Sequence, residues 1–154
     1  MSINSSAVKR PELISEIANE FGSQCVVVAV DTKFVDEEWI VFVHGGRTAT
    51  KWKTIDWVKK VEQLGAGEIL LTSMDKDGTK SGFSLSITEQ VAAAINIPVI
   101  ASGGAGEVAH FKDVFTKTKA TGGLAASIFH YGEISIPDLK SYLKKENISV
   151  RINP

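Results

Sequence analysis

The sequence predicts an α/β fold in which the strands of a parallel sheet alternate with helices. Two stretches of strand-forming residues, 26–31 and 69–78, each run into acidic residues. A parallel strand buried on both faces reads as a continuous apolar run, and a carboxylate at its C-terminal end lies where such folds place their chemistry. The strand spacing leaves room for one helix between consecutive strands, as right-handed βα units require. The predicted strands begin near Cys25, Glu68, Ile97 and Gly122.

Composition narrows the classes of protein to consider. The chain has 154 residues, 44% hydrophobic and 23% charged, which suits one ordinary domain with a hydrophobic core. Seventeen Lys and Arg residues nearly balance eighteen Asp and Glu residues, so no nucleic-acid partner is expected. No signal-like segment or long apolar run is present, so we expect no membrane partner and a cytoplasmic location. The single cysteine, Cys25, argues against a disulfide framework and is predicted to be an inert core residue.

Helical spacing and chain breakers predict the elements of the first half. They are an extended start at 2–4, a helix opened by Pro11 and stopped by Gly22, strands at 25–31 and 40–43, and a helix capped by Thr54 and stopped by Gly65. Three tryptophans surround the second strand. A binding groove is one role for them, but packing is the commoner role; they are Trp39, Trp52 and Trp57.

The second half continues the alternation of strands and helices. The predicted elements are a strand at 68–73, a helix over 85–95, a strand at 98–102, a helix over 108–115, a strand at 123–127, a short helix at 128–131 and a helix that starts with Ser135 and Asp138 in a capping-box-like arrangement. In this half of the chain every predicted strand is followed by a helix. A sheet of this kind is either doubly wound or part of a barrel.

Glycine-containing loops at two consecutive strand ends indicate a phosphate site. Residues 102–106 follow the strand residues 98–101, and residues 125–127 follow the glycine-containing strand residues 122–124. Glycine lets backbone N–H groups approach an oxyanion, and eight-stranded α/β barrels commonly build such a cup after strands seven and eight. A tight turn alone would explain one such loop, whereas two favour phosphate binding. The spacing is not that of the dinucleotide fingerprint, which disfavours a doubly wound nucleotide-binding sheet.

Three segments resemble the cyclase subunit of imidazole glycerol phosphate synthase, an enzyme of histidine biosynthesis. They are 65–82, which holds Asp-Lys-Asp-Gly-Thr at 75–79, and 98–106 and 124–127. The resemblance runs in order from Ser2 to about Ile152. It implies the C-terminal half of a TIM (βα)8 barrel, with residues 1–154 forming a single half-barrel domain from the end of strand four through units five to eight.

The resemblance also implies a reaction. The family is a lyase that joins ammonia, delivered by a glutaminase partner, to the bisphosphorylated substrate PRFAR and releases imidazole glycerol phosphate and AICAR; no cofactor is implied. Proton transfer at several atoms suits two carboxylates in acid and base roles. Asp77 matches one of them, and the other lies in a part of the family that this chain does not match. Asp31 matches an additional active-site aspartate, although a loop-capping role is open, and Asp75 is assigned to loop structure.

Further positions carry over from the resemblance. Gly78, Gly104, Ala126 and Ser127 match contacts to one substrate phosphate, Ser102 and Thr72 match pocket residues, and Asn4 and Ser5 match the site of the other phosphate, where Ser5 replaces the usual threonine. Glu68 matches a charged residue of the ammonia gate; a strand-end glutamate paired with a lysine is the alternative. The three histidines, His44, His110 and His130, lack metal-ligand spacing and are predicted to be surface or packing residues.

Two functions therefore remain open for this chain. As part of the cyclase it would keep one phosphate cup and Asp77, and loss of one acid/base group would reduce turnover by a factor of ~10² to 10⁴, so turnover by the chain alone is not expected. Its partner would be a second copy or the missing N-terminal half, which would cover the inner face of the sheet. The alternative is a phosphate-binding half-barrel or assembly scaffold without chemistry.

Overall fold

The computed structural model describes residues 1–151. The strands are β1 (Ser2–Ile3), β2 (Val27–Val35), β3 (Glu38–Val43), β4 (Thr48–Lys53), β5 (Glu68–Ser73), β6 (Val99–Ser102) and β7 (Gly122–Leu124). The helices are α1 (Ser5–Lys9), α2 (Glu12–Phe21), α3 (Thr54–Gln63), α4 (Leu85–Ala94), α5 (Val108–Lys117), α6 (Ser127–His130) and α7 (Ile136–Lys145). The last residues of the predicted 1–154 domain lie outside this range.

The strands form one mixed sheet in the order β4-β3-β2-β5-β6-β7. Strands β2, β5, β6 and β7 are parallel neighbours, while β3 and β4 add an antiparallel hairpin beyond β2. The outer edge of β2 is shared, because its start pairs with β1 and its end pairs with β3. Sequential parallel strands joined by helices confirm the predicted βα units.

The helices pack on one face of the sheet. Val28, Val30, Ile69 and Leu71 point to this face and are fully buried among helix residues such as Trp57. Their neighbours along the strands are only half-buried. These form what we call the helix-free face, composed of Val27, Ala29 and Asp31 on β2, Glu68, Leu70 and Thr72 on β5, and Ile100 and Ser102 on β6.

Helices cover only one face of the sheet, and this distinguishes a barrel from a doubly wound sheet. A doubly wound sheet carries helices on both faces, whereas a barrel places them all outside. The strand register sets Asp31, Thr72 and Ser102 in one row across the helix-free face, and Ala29, Leu70 and Ile100 in the next. The predicted TIM-barrel units are therefore confirmed. None of the helices in residues 1–151 combines the length and the hydrophobicity of a membrane-spanning segment.

Strand β2 differs from its predicted bounds at both ends. It begins at Val27, so Cys25 lies in a 3-10 turn rather than at the head of the strand, and it is half-buried rather than a core residue. It continues past Asp31 because its end pairs with β3 across a turn in which Asp36 and Glu37 have φ angles of 48° and 65°. Two central residues with positive φ are typical of a type I′ hairpin turn, but the Asn-Gly or Asp-Gly signal is missing.

The predicted cap of α3 is wrong. Lys53 is the N-cap residue, and Thr54 is the first helical residue and fully buried. The hydroxyl of Thr54 lies 2.6 Å from that of Thr32 on β2, so it ties the helix to the sheet instead of capping the helix. This bond explains why two polar side chains are tolerated in the core.

Three short elements also depart from expectation. Helix α1 and strand β4 were not predicted, because α1 has only five residues and β4 is mostly polar and exposed. Strand β7 ends at Leu124, short of the predicted 127, and Ser127 begins α6 instead.

The packing role of the tryptophans is supported by Trp57, which is buried with its ring centroid 5.2 Å from that of Trp52.

Candidate active site

A cavity of about 200 Å³, which we call the cup, lies at the carboxyl ends of β5, β6 and β7. It brings together residues from three loops that are far apart in sequence. This is the edge of a parallel sheet at which barrel enzymes place their sites. Six predicted site residues line it: Asp77, Gly78, Ser102, Gly104, Ala126 and Ser127.

Close backbone packing explains the glycines of the cup. Gly103 and Gly104 have φ angles of 88° and 101°, in the left-handed region that favours glycine. A Cβ on Gly104 would overlap the carbonyl oxygen of Gly82 and lie 2.9 Å from Cβ of Lys76. The N–H of Gly82 donates to the carbonyl of Gly104 at 2.7 Å. The loop after β5 and the loop after β6 are therefore held against each other by backbone contact.

The cup offers hydrogen-bond donors to an anion. None of the backbone hydrogen bonds found in residues 1–151 uses the N–H of Gly104 or of Ser127. Ser127 adds a hydroxyl, and its side chain is half-buried at the cavity wall. Helix α6 is a single turn, so what the cup presents to an anion is these hydrogen-bond donors rather than a helix dipole.

Asp77 is exposed and lies between two cavities. It lines the cup and also a second cavity of about 370 Å³, which includes Asp31 and Thr72. Its loop is fixed by a hydrogen bond from the Asp77 N–H to the Ser73 carbonyl at 2.9 Å. A carboxylate in this position can exchange protons with a ligand that spans both cavities.

Asp31 is held by a side chain from the N-terminal segment. Nδ2 of Asn4 donates to Oδ2 of Asp31 at 2.9 Å. Oδ1 of Asn4 is buried and has no hydrogen-bond partner within residues 1–151. Neither Asn4 nor Ser5 is among the residues that line the two cavities, and the Oγ of Ser5 accepts from the N–H of His44 at 2.9 Å, next to Gly45 of the second cavity. Of the two residues predicted to hold the other phosphate, only Asn4 has a side-chain hydrogen bond to another predicted site residue, Asp31.

Two remaining predictions concern charged residues near the strand ends. Oδ2 of Asp75 accepts from the N–H of Phe34 at 2.9 Å, which fits its assignment to loop structure. Glu68 lies at the opposite end of β5 from Thr72, on the helix-free face. No lysine forms an ion pair with Glu68 in the described part of the chain, and the assignment of Glu68 to the ammonia gate stays a prediction.

Sequence reasoning missed the role of His110. Its Nδ1 accepts hydrogen bonds from the N–H groups of Gly106 and Glu107, at 3.0 and 3.2 Å. Together with the Glu107 side chain it forms a capping box at the start of α5. The imidazole also faces Gly82, on the other loop of the cup. The signal was a Glu at the N-cap with a polar residue three positions later, but histidine is not the usual partner.

We expect His110→Ala to lower the free energy of unfolding by about 1–2 kcal/mol, because two backbone N–H groups lose their acceptor. His110→Gln, whose side-chain oxygen can accept in the same place, is expected to retain most of that stability. Urea unfolding followed by circular dichroism measures both variants. Equal losses in the two variants would contradict a capping role.

No metal is indicated at this site. Within residues 1–151, no group of three or more His, Cys, Asp or Glu side chains could hold a metal ion.

Comparison with known proteins finds relatives involved in histidine biosynthesis. A family model described as histidine biosynthesis protein matches residues 1–135. The imidazole glycerol phosphate synthase subunit HisF of Hydrogenobaculum sp. (strain Y04AAS1) is 59% identical over 153 residues, which cover 99% of this chain and 61% of that protein. HisF of Clostridium botulinum (strain Kyoto / Type A2) is 56% identical over 154 residues, covering 99% and 61%. HisF of Streptococcus mutans serotype c is 58% identical over 152 residues, covering 98% and 61%.

These matches confirm the resemblance seen in the sequence. The chain spans about three-fifths of the length of the curated relatives it matches. The family model covers far more than half of the chain, and its match includes the loops that form the cup. The chain therefore belongs to the histidine biosynthesis protein family.

Proposed function

We propose that this chain is the C-terminal part of an imidazole glycerol phosphate synthase cyclase. It would supply one phosphate cup and two carboxylates for the conversion of PRFAR and ammonia to imidazole glycerol phosphate and AICAR. One observation carries the proposal: Asp77 borders both the cup and the cavity that holds Asp31. A ligand anchored by a phosphate in the cup would place its next atoms beside Asp77.

Each residue has a role in this proposal. Gly78, Gly104, Ala126 and Ser127 bind one phosphate through backbone N–H groups and a hydroxyl. Asp77 moves a proton to or from the reacting atoms, because an exposed carboxylate beside an anchored ligand is a suitable acid or base. Asp31, held by Asn4 at 2.9 Å, positions the substrate, and Thr72 and Ser102 extend the polar row between the two cavities.

Ammonia would arrive from the other end of the sheet. We propose that Glu68 lies at the gate through which a glutaminase subunit delivers ammonia, since it stands on the helix-free face at the opposite end of β5 from Thr72. The reaction would need no cofactor, nucleic acid or membrane. We propose a reducing cytoplasmic setting, supported by the free Cys25.

The phosphate site is tested by titrating the ¹⁵N-labelled chain with inorganic phosphate and following backbone amide resonances. We expect saturable shifts at Gly104 and Ser127, with smaller changes at β1. Shifts confined to residues outside the cup would contradict the proposal. Turnover is measured separately with PRFAR and ammonia in a mixture of this chain and the part of a relative that it does not match, because the chain alone is not expected to turn over. Phosphate binding without any turnover would favour the alternative function, a phosphate-binding half-barrel or scaffold.

The helix-free face supplies a prediction about assembly. We propose that residues 1–154 act as one half-barrel domain whose helix-free face is covered by a second copy of the chain. Its central row holds the half-buried apolar residues Ala29, Leu70 and Ile100. Burying such a row on association is favourable, at about 25 cal/mol per Å² of apolar surface. The part of the relatives that this chain does not match is the other occupant to consider.

Leu70→Lys is therefore expected to convert a dimer to a monomer, because a charge would be buried at the centre of the interface. Sedimentation velocity at micromolar concentration measures the change, and Leu70→Ile serves as the matched control that should remain dimeric. A wild-type chain that is monomeric under these conditions would contradict association between copies.

A further inference from the structure

The cup has a cationic wall residue that no step of the proposed function uses. Among the described residues that line the cup, Lys80 alone carries positive charge. Its Nζ donates to both carboxylate oxygens of Glu133, at 2.5 and 2.8 Å. Lys80 lies on the loop between β5 and α4, and Glu133 lies between α6 and α7. The ion pair therefore links one wall of the cup to the segment that follows the other wall.

The backbone of Lys80 is held in an unusual conformation at this wall. Its φ angle is 55°, in the left-handed region that is unfavourable for a residue with a side chain. A Cβ on Gly106 would lie 2.9 Å from Cα of Lys80, so the loop can occupy this place only because residue 106 is glycine. Strain of this kind concentrates at ligand-binding positions. Lys80 is therefore held at the cup in a backbone conformation that is unfavourable in free energy.

The ion pair itself is weakly held. The Lys80 and Glu133 side chains are 44% and 40% exposed, and exposed pairs of this kind contribute little to stability. A phosphate dianion offers more negative charge and more acceptor oxygens than one carboxylate. A phosphate bound in the cup could therefore displace the carboxylate from Lys80 without a large loss.

We propose that Lys80 is the cationic ligand of the phosphate bound in the cup, and that Glu133 competes with phosphate for it. This inference rests on the proposed phosphate site and adds a charged side chain to donors that are otherwise backbone N–H groups and a hydroxyl. Glu133 would keep Lys80 neutralised while the cup is empty. It would also lower the affinity of the cup for anions that cannot displace it.

The two partners make predictions of opposite sign. Inorganic phosphate is titrated into the wild-type chain, Lys80→Met, Glu133→Gln and the double variant, and the dissociation constant is measured from amide shifts. We expect Lys80→Met to bind about tenfold more weakly, as one charge-assisted hydrogen bond is lost. We expect Glu133→Gln to bind about threefold more tightly, as the competing acceptor is weakened. The matched controls are Lys59→Met and Glu20→Gln, at exposed positions on α3 and α2.

The double variant separates competition from simple repulsion. If Glu133 acts through Lys80, the gain from Glu133→Gln disappears when Lys80 is methionine; an equal gain in both backgrounds would overturn competition. Amide spectra that overlay outside the cup establish that each variant is folded. Unchanged affinities in both single variants, with wild-type binding intact, would overturn this inference and leave the phosphate site standing. Absence of phosphate binding to the wild-type chain would overturn both.

Discussion

Replacing Gly104 with alanine is expected to abolish saturable phosphate binding and to lower the free energy of unfolding by about 2–5 kcal/mol. The new Cβ would meet the Gly82 carbonyl and the Lys76 side chain, and the φ of 101° adds strain for any residue with a side chain. Overpacking costs about 1–3 kcal/mol and a left-handed backbone about 1–2 kcal/mol. Urea unfolding and phosphate titration measure the two effects.

Gly132→Ala is the matched control for stability. Gly132 also has a positive φ, 68°, but a Cβ there would meet nothing within 4 Å. It should therefore show only the backbone cost of about 1–2 kcal/mol. If Gly104→Ala were no less stable than Gly132→Ala, the contact between the two loops would not be what shapes the cup.

Replacing Asp77 with asparagine is expected to remove the turnover of PRFAR and ammonia that depends on this chain, by a factor of ~10² to 10⁴. Asparagine keeps the size and hydrogen-bonding capacity of the side chain but cannot exchange a proton. Phosphate binding should persist, because the N–H groups of the cup are unaffected. Steady-state assays of product formation and phosphate titration together measure this separation.

Asp75→Asn is the control for Asp77, since it lies two positions earlier in the same loop and its carboxylate accepts from the N–H of Phe34. It should reduce stability slightly and leave turnover unchanged. A similar loss of turnover in both variants would indicate that the loop structure, and not the Asp77 carboxyl group, is required.

Much of the site followed from the sequence because its signals are local. Glycine at positions 103, 104 and 106 predicts that two backbone segments pack closely here. The structure shows this close packing between Gly104 and Gly82 and between Gly106 and Lys80. The parallel strands were equally clear, because continuous apolar runs alternate with helical patterns. Once consecutive strands are parallel neighbours, their carboxyl ends meet at one edge, and Asp77 must lie near the loops that follow β6 and β7.

Other features could not be predicted because they depend on distant partners. The hydroxyl of Thr54 is of a type that often caps helices, but in the folded chain it hydrogen-bonds with the hydroxyl of Thr32 in the core. Strand β2 continues past Asp31 only because β3 pairs with it, and β4 forms on the far side of that hairpin with few apolar residues. The capping role of His110 could not be predicted because histidine is not the usual partner in a capping box, and its acceptance of two N–H groups depends on the folded loop.

The outermost parallel strand has a consequence for how this sheet can grow. Strand β7 contains only three residues, of which two are glycine. So short an edge presents few N–H and C=O groups to an incoming strand, which is one way in which proteins discourage uncontrolled aggregation. A neighbour that extends the sheet beyond β7 would therefore form few backbone hydrogen bonds with it. Most of its affinity, and its selectivity for this edge, would come from side-chain contacts.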